Sequence, residues 1–194
     1  GSTGTINLEG GVMLRDNQGN IGRDGDGVFN QSGGEYIQTA SQLRMGTSGN
    51  GIGVYNLSGG SADVVDIVLG VNGGNKGYLA VSGGSLLVSN SIVGGDGYSQ
   101  IDYSGGFMEV ANSISVKAMV VSGGGSLVQS VGTSSNTFGL LDIDTGSTYS
   151  YQAGALDVTG GLALKGVMDF NSVTGTYNLD QILFDISSGT IENS

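Results

Sequence analysis

The sequence predicts an all-β fold, a right-handed parallel β-helix (β-solenoid) of about eight or nine coils of roughly 22 residues. Three observations predict it. The tripeptide Ser-Gly-Gly recurs along the chain. Apolar and polar residues alternate in the same slots around each copy. Glycine supplies 39 of the 194 residues and proline none.

Ser-Gly-Gly starts at Ser32, Ser58, Ser82, Ser104 and Ser122, with variants Glu9-Gly10-Gly11 and Thr159-Gly160-Gly161. Three places before each tripeptide stand Ile6, Phe29, Tyr55, Leu79, Ile101, Met119 and Leu156, all apolar. One place before stand Leu8, Gln31, Leu57, Val81, Tyr103, Val121 and Val158, where only Gln31 breaks the pattern. Asn7, Asn30, Asn56, Ala80, Asp102, Val120 and Asp157 lie between. In-out-in alternation of this kind is a half-buried strand. The Gly-Gly pair is its corner, because glycine tolerates positive φ and lets backbones stack closely.

A second strand follows each corner, at Ala62 and Val64, Leu86 and Val88, Met108 and Val110. A third apolar patch comes next, at Ile67-Val68-Leu69 and Ile92-Val93. Clusters such as Gly73-Gly74-Asn75 and Gly94-Gly95-Asp96-Gly97 then close the unit. Leu141-Asp142-Ile143-Asp144 and Phe184-Asp185-Ile186-Ser187 extend the series with Asp144 and Ser187 in the serine slot. No unit is large enough to bury its own inward row, so each must stack on the next. Parallel stacking at about 4.8 Å per rung makes a rod roughly 40 Å long. A β-sandwich would alternate similarly, but identical slots in seven copies favour the solenoid. One solenoid domain is expected over 1–194, with 165–194 a less regular C-terminal coil or joint segment. Stacked Asn7, Asn30 and Asn56 are expected to bond one another as an amide ladder.

Composition excludes several chemistries. Without His or Cys there is no Ser-His-Asp triad, thiol nucleophile or imidazole metal site. Six Lys and Arg against seventeen acids give a charge of −11, ill suited to nucleic acid. No apolar run is long enough for a transmembrane segment. Asp144-Thr145-Gly146-Ser147 matches an aspartic-protease signature, but a second copy is missing and the segment fills the repeat's corner slot. Asp24 and Asp26 sit in a Gly-rich turn that suggests a weak Ca²⁺ site, although the bidentate acid of an EF-hand is missing. No other cofactor is expected. A polysaccharide-active enzyme would need two carboxylates facing one cleft. Asp102 and Asp157 are candidates if they share an outward face, as are Asp63 and Asp66. The balance of these readings is a non-enzyme.

These Ser-Gly-Gly and strand units resemble the Gly/Ser-rich repeats of secreted bacterial surface proteins, namely autotransporter passengers and repeat proteins that end in a Pro-Glu-Pro sorting signal. The chain lacks proline and therefore that sorting motif. The resemblance implies an extracellular or cell-surface location.

Both extremities are expected to be uncapped, leaving strand edges that stack on other copies. Ile6 and Leu8 at one end, and Gln181, Ile182, Leu183, Phe184 and Ile186 at the other, are the expected assembly interface. Such a contact is heterologous and does not close, so the expected function is a structural subunit of a self-assembling extracellular filament. The alternative is an adhesin or passenger-type module for glycans or host proteins, with Tyr36, Tyr55, Tyr78, Tyr98 and Tyr103 as candidate sugar-stacking rings. The two readings differ in the partner: other copies of the chain, or a glycan or host protein.

Overall fold

The computed structural model describes residues 2–129, 135–151, 155–169, 176–178, 183–185 and 190–192. Among these the regular segments are all strands, and they wind into a β-solenoid with three faces. The first face stacks Thr3–Leu8, Asp26–Gln31, Ile52–Leu57, then 76–81, 98–103, 118–121, 140–143, 161–164 and Leu183–Asp185, each parallel to the next. The second stacks Val12–Arg15, 35–38, 61–64, 85–88 and 107–110. Further along the rod, Ser126–Gln129, Thr148–Tyr151, Val167–Asp169 and Thr190–Glu192 form a separate four-stranded parallel sheet. The third stacks Gly19–Ile21, 42–45, 66–69, Ile92–Gly94, 114–116, 135–138, 155–158 and Thr176–Asn178.

The predicted alternation is what fills the core. On the first face Tyr55, Leu57, Leu79, Val81, Ile101, Met119, Val121, Leu141, Ile143 and Leu164 are all closed to solvent. Phe29 lies flat on Tyr55, ring centroids 4.8 Å apart and planes 8° from parallel. Outward, the amide ladder forms as expected. Asn30 Nδ2 donates to Asn7 Oδ1 at 2.9 Å, and Asn56 Nδ2 donates to Asn30 Oδ1 at 2.9 Å.

The Ser-Gly-Gly corner divides its work between the two glycines. A Cβ on the first would strike the carbonyl oxygen one rung below: Ser32 O lies 2.4 Å from such an atom at Gly59, and Ser58 O 2.4 Å from one at Gly83. The second takes a left-handed φ, as Gly60 does at 78° and Gly84 at 72°. The slot before them bonds downward, with Ser58 N donating to Gln31 O at 2.8 Å and Ser122 N to Tyr103 O at 2.9 Å. Asp144 N does the same to Val121 O at 2.8 Å, so Asp-Thr-Gly is a corner variant.

One copy of the repeat belongs to a different corner. Leu156 is in register with Asn136 and Tyr177 on the third face, whereas Leu162 holds the first-face slot beside Leu141 and Phe184. Thr159-Gly160-Gly161 therefore turns the third face into the first. Gly160 stacks tightly on Gly139, whose carbonyl oxygen would lie 2.3 Å from a Cβ there. The first-to-second corner of that coil falls at Lys165, whose N–H reaches Ile143 O at 2.8 Å.

The coil also shortens partway up. Between third and first faces the lower coils insert loops such as Thr47–Gly51 and 71–75, whereas Ile114–Val121, Ser135–Ile143 and Ala155–Leu164 run through that corner as single strands. Lys117 sits at the first such passage. Its N–H donates to Ser99 Oγ at 2.9 Å and its Nζ to Asp96 O at 2.9 Å, tying the tight corner to the last looped one.

Candidate functional site at the first turn

The first turn is built from the same slots as the rest but filled differently. Gly19 stands in the third-face row that continues with Leu43, Ile67, Ile92 and Ile114. Arg15 stands in the second-face row that continues with Gln38, Val64, Val88 and Val110. A small residue and a charged one thus replace two core side chains. The result is an open cavity of about 460 Å³ at the mouth of the tube, lined by Ile6, Met13, Arg15, Ile21, Phe29, Tyr36 and Leu43 among others. Ile6 heads a row that continues with Phe29, Tyr55, Leu79, Ile101, Met119, Leu141 and Leu162, all buried, and is itself 52% exposed.

A short polar layer floors the cavity. Arg15 donates to Gln18 O at 2.9 Å. Gln38 is buried, donates to Asn17 O at 2.9 Å and accepts from Tyr36 Oη at 3.1 Å. One rung away, Tyr55 Oη donates to Gln31 Oε1 at 2.5 Å, and Gln31 Nε2 donates to Ser61 O at 2.8 Å. Gln31, the exception in the apolar slot, is fully buried and bonded through both ends of its amide.

Burial keeps these phenols neutral. It pushes Tyr36 up to about 12 from the ordinary 10, with the Arg15 cation pulling the other way. Burial also raises Tyr55, aided by Tyr36. Below pH 10 the phenols are neutral in folded and unfolded chains alike, and their contribution to stability is complete. Above it the unfolded chain ionises while the folded chain does not, so stability falls as pH climbs, and the Tyr36 contribution is gone at about pH 12. Each such phenol costs about 1.4 kcal/mol per pH unit inside that window. Melting temperatures measured across that window should fall steeply, with the phenolate absorbance of these tyrosines appearing only as the chain unfolds; a flat profile would contradict the buried placement.

The strand edges of the first turn are open on one side. Among the described residues Thr3–Leu8 pairs only with Asp26–Gln31, and Val12–Arg15 and Gly19–Ile21 only with Glu35–Met45. At the other end Leu183–Asp185 pairs only with Ala155–Leu164, and Thr190–Glu192 only with Val167–Asp169. Ile191, in register with buried Met168, is 44% exposed. Of the expected interface residues, Ile6 and Leu8 lie in the first rung, with Leu8 buried. Leu183 and Phe184 lie in register with Gly161 and Leu162. Gln181, Ile182 and Ile186 lie outside the described residues. Sequence reading missed Ile191, a lone apolar residue between Thr190 and Glu192 in a strand of three.

Other candidate groups are dispersed. Asp102 is on the first face and Asp157 on the third, so the two do not share an outward face as supposed. Asp66 Oδ1 accepts from Asn90 Nδ2 at 2.7 Å and from Ser91 N at 3.2 Å. Asp24 accepts from Ser48 Oγ at 2.6 Å and lies 3.7 Å from Arg23, and Asp26 accepts from Ile52 N at 3.3 Å. Among the described residues no three His, Cys, Asp or Glu gather as a metal site. Tyr36, Tyr55 and Tyr103 are core residues; Tyr78 and Tyr98 stand outside, centroids 5.8 Å apart. No helix among the described residues is long and apolar enough to cross a membrane. The chain matches no protein-family model, no curated protein and no solved structure.

Proposed function

We propose that the chain is a structural subunit that polymerises head to tail by stacking solenoid ends, as an extracellular filament. One observation carries the reading. Both described end rungs expose an apolar residue at a register buried elsewhere: Ile6 at 52% on the first face and Ile191 at 44% in the four-stranded sheet. A parallel rung stacked on either end covers that residue with the pairing used inside the molecule. The occupant that fits is another copy of this chain, because its end rungs share the strand spacing and the register. Stacking in this register sets Leu183–Asp185 of one copy against Thr3–Leu8 of the next, and Thr190–Glu192 against Val12–Arg15. The charge of −11 keeps the sides of such rods apart.

Sedimentation and negative-stain microscopy test this with the purified full chain. Concentration-dependent rods one solenoid wide are expected, and Ile6→Lys or Ile191→Lys should return the material to monomer. Wild-type protein that stays monomeric at every concentration reached would overturn the reading.

A further inference from the structure

Two tyrosines of the first face point away from the core. Tyr78 and Tyr98 stand on its outer side, ring centroids 5.8 Å apart, with Tyr98 39% exposed. Tyr98 is held along its own strand. Its Oη donates to Gln100 Oε1 at 2.8 Å, and Gln100 Nε2 donates to Asp102 Oδ1 at 2.7 Å. Beside them lies a hollow. Ala80 follows Tyr78 by two residues on one strand, so the two share a side. In register, Ala80 falls between Asn56 on the rung below and Asp102 on the rung above. Its methyl group leaves open the space that an amide or a carboxylate fills in those neighbours. The amide ladder ends here. Asn56 Nδ2 donates down to Asn30 Oδ1 at 2.9 Å, which turns the Asn56 oxygen up toward Ala80, whose side chain has no donor to offer it. Asp102 accepts from Gln100 and keeps further acceptor capacity.

We propose that this hollow binds one sugar residue of an uncharged glycan, on the side of the rod and independently of end-to-end stacking. Three properties select that ligand. Asn56 Oδ1 and the Asp102 carboxylate stand two rungs apart, about 10 Å, on either side of an apolar floor. Both are acceptors, so the ligand must bring donors on two edges of a flat body, as the hydroxyls of a pyranose ring do. The negative face of an aromatic ring attracts polarised C–H groups, and a pyranose presents a face of such groups to Tyr78 and Tyr98. Asp102 and the net charge of −11 repel an acidic sugar. An apolar surface with a few convergent polar groups, largely formed in advance, is the usual make-up of a ligand site. Here the bonded run Tyr98, Gln100 and Asp102 holds the groups in place before the ligand arrives.

Affinity electrophoresis in native gels tests this with the full chain, which its charge of −11 carries through the gel. Hydroxyethyl cellulose, glucomannan and soluble starch are the neutral probes, and polygalacturonate is the acidic one. At least one neutral polysaccharide should retard the chain, and polygalacturonate should not. Tyr98→Ala removes the exposed ring and Ala80→Leu fills the hollow; each should weaken the apparent affinity about tenfold or more. Phe107→Ala removes an exposed ring from the second face and should leave the retardation unchanged. Thermal melts of all three variants should match wild type, because none of the three side chains is buried. No retardation by any neutral probe, or retardation that survives both Tyr98→Ala and Ala80→Leu, overturns the site. Retardation by polygalacturonate alone overturns the ligand class and the proposal with it. If the patch instead joins rods side by side, the same two variants will alter sedimentation without polysaccharide and leave gel mobility insensitive to it, which also overturns the proposal. A chain that binds a neutral glycan and never polymerises overturns the filament reading and leaves this site standing.

Discussion

Gly60→Val should destabilise the solenoid by about 4 kcal/mol, from about 1–3 kcal/mol of left-handed strain and a similar cost of overpacking. Gly60 has φ of 78°, and a β-branched residue there is strained even in open space. The space is not open. A Cβ would lie 2.3 Å from Gly34 O and 2.6 Å from Gly33 C, both backbone atoms of the rung below. Gly34 O cannot withdraw, because it accepts from Ser61 N at 3.0 Å and from Gln31 Nε2 at 3.3 Å. Relief of the clash therefore opens the ladder at the corner and disturbs a buried amide. The comparison is Gly73→Val. Gly73 is exposed, has no heavy atom within 4 Å of a built Cβ, and should change stability by less than about 0.5 kcal/mol. Urea unfolding of the two variants separates the explanations. A near-equal midpoint would mean that Gly60 is kept for something other than the stacking of corners.

Those corners are also what made the fold legible. Two glycines after an in-out-in triplet carry a steric requirement that few other residues meet, and the requirement recurs at each rung because each rung rests on an equivalent one. The same property hid the slip at Thr159-Gly160-Gly161. Leu156 and Val158 alternate around Asp157 just as Leu162 and Leu164 do around Ala163, and both corners of that coil need close backbone approach. A period-two pattern followed by Gly-Gly names a corner without saying which one. Only the stacking partner, Gly139 under Gly160, decides it. The candidate site was readable in part. Exposed Ile6 follows from its place in the first rung, but the cavity beside it depends on Gly19 and Arg15 standing in core rows, and no local pattern marks either as inward. Ile191 went unread because a three-residue strand gives too little alternation to register.

Gln31→Leu should cost about 2–3 kcal/mol, although it installs the apolar residue that the repeat calls for at that slot. In the first-face row Gln31 lies between Leu8 and Leu57, so leucine suits the register and the neighbours. What it cannot supply is hydrogen bonding. Tyr55 Oη, on a fully buried ring, would lose the Gln31 oxygen it meets at 2.5 Å, and Ser61 O would lose a donor at 2.8 Å. A buried polar group left without its partner costs about 1–3 kcal/mol, more than the gain from a slightly more apolar core. Tyr55→Phe in the Gln31→Leu background removes the stranded hydroxyl while keeping the ring that stacks on Phe29 at 4.8 Å. The double variant should recover more than half of the lost stability, and the two changes should be non-additive by about 1 kcal/mol or more. Equal and additive losses in the two single variants would mean that the amide and the phenol do not act as a pair. Rescue would mean that the polar layer beneath the first-turn cavity is a matched unit, and that the repeat tolerates Gln31 because Tyr55 stands one rung above to complete it.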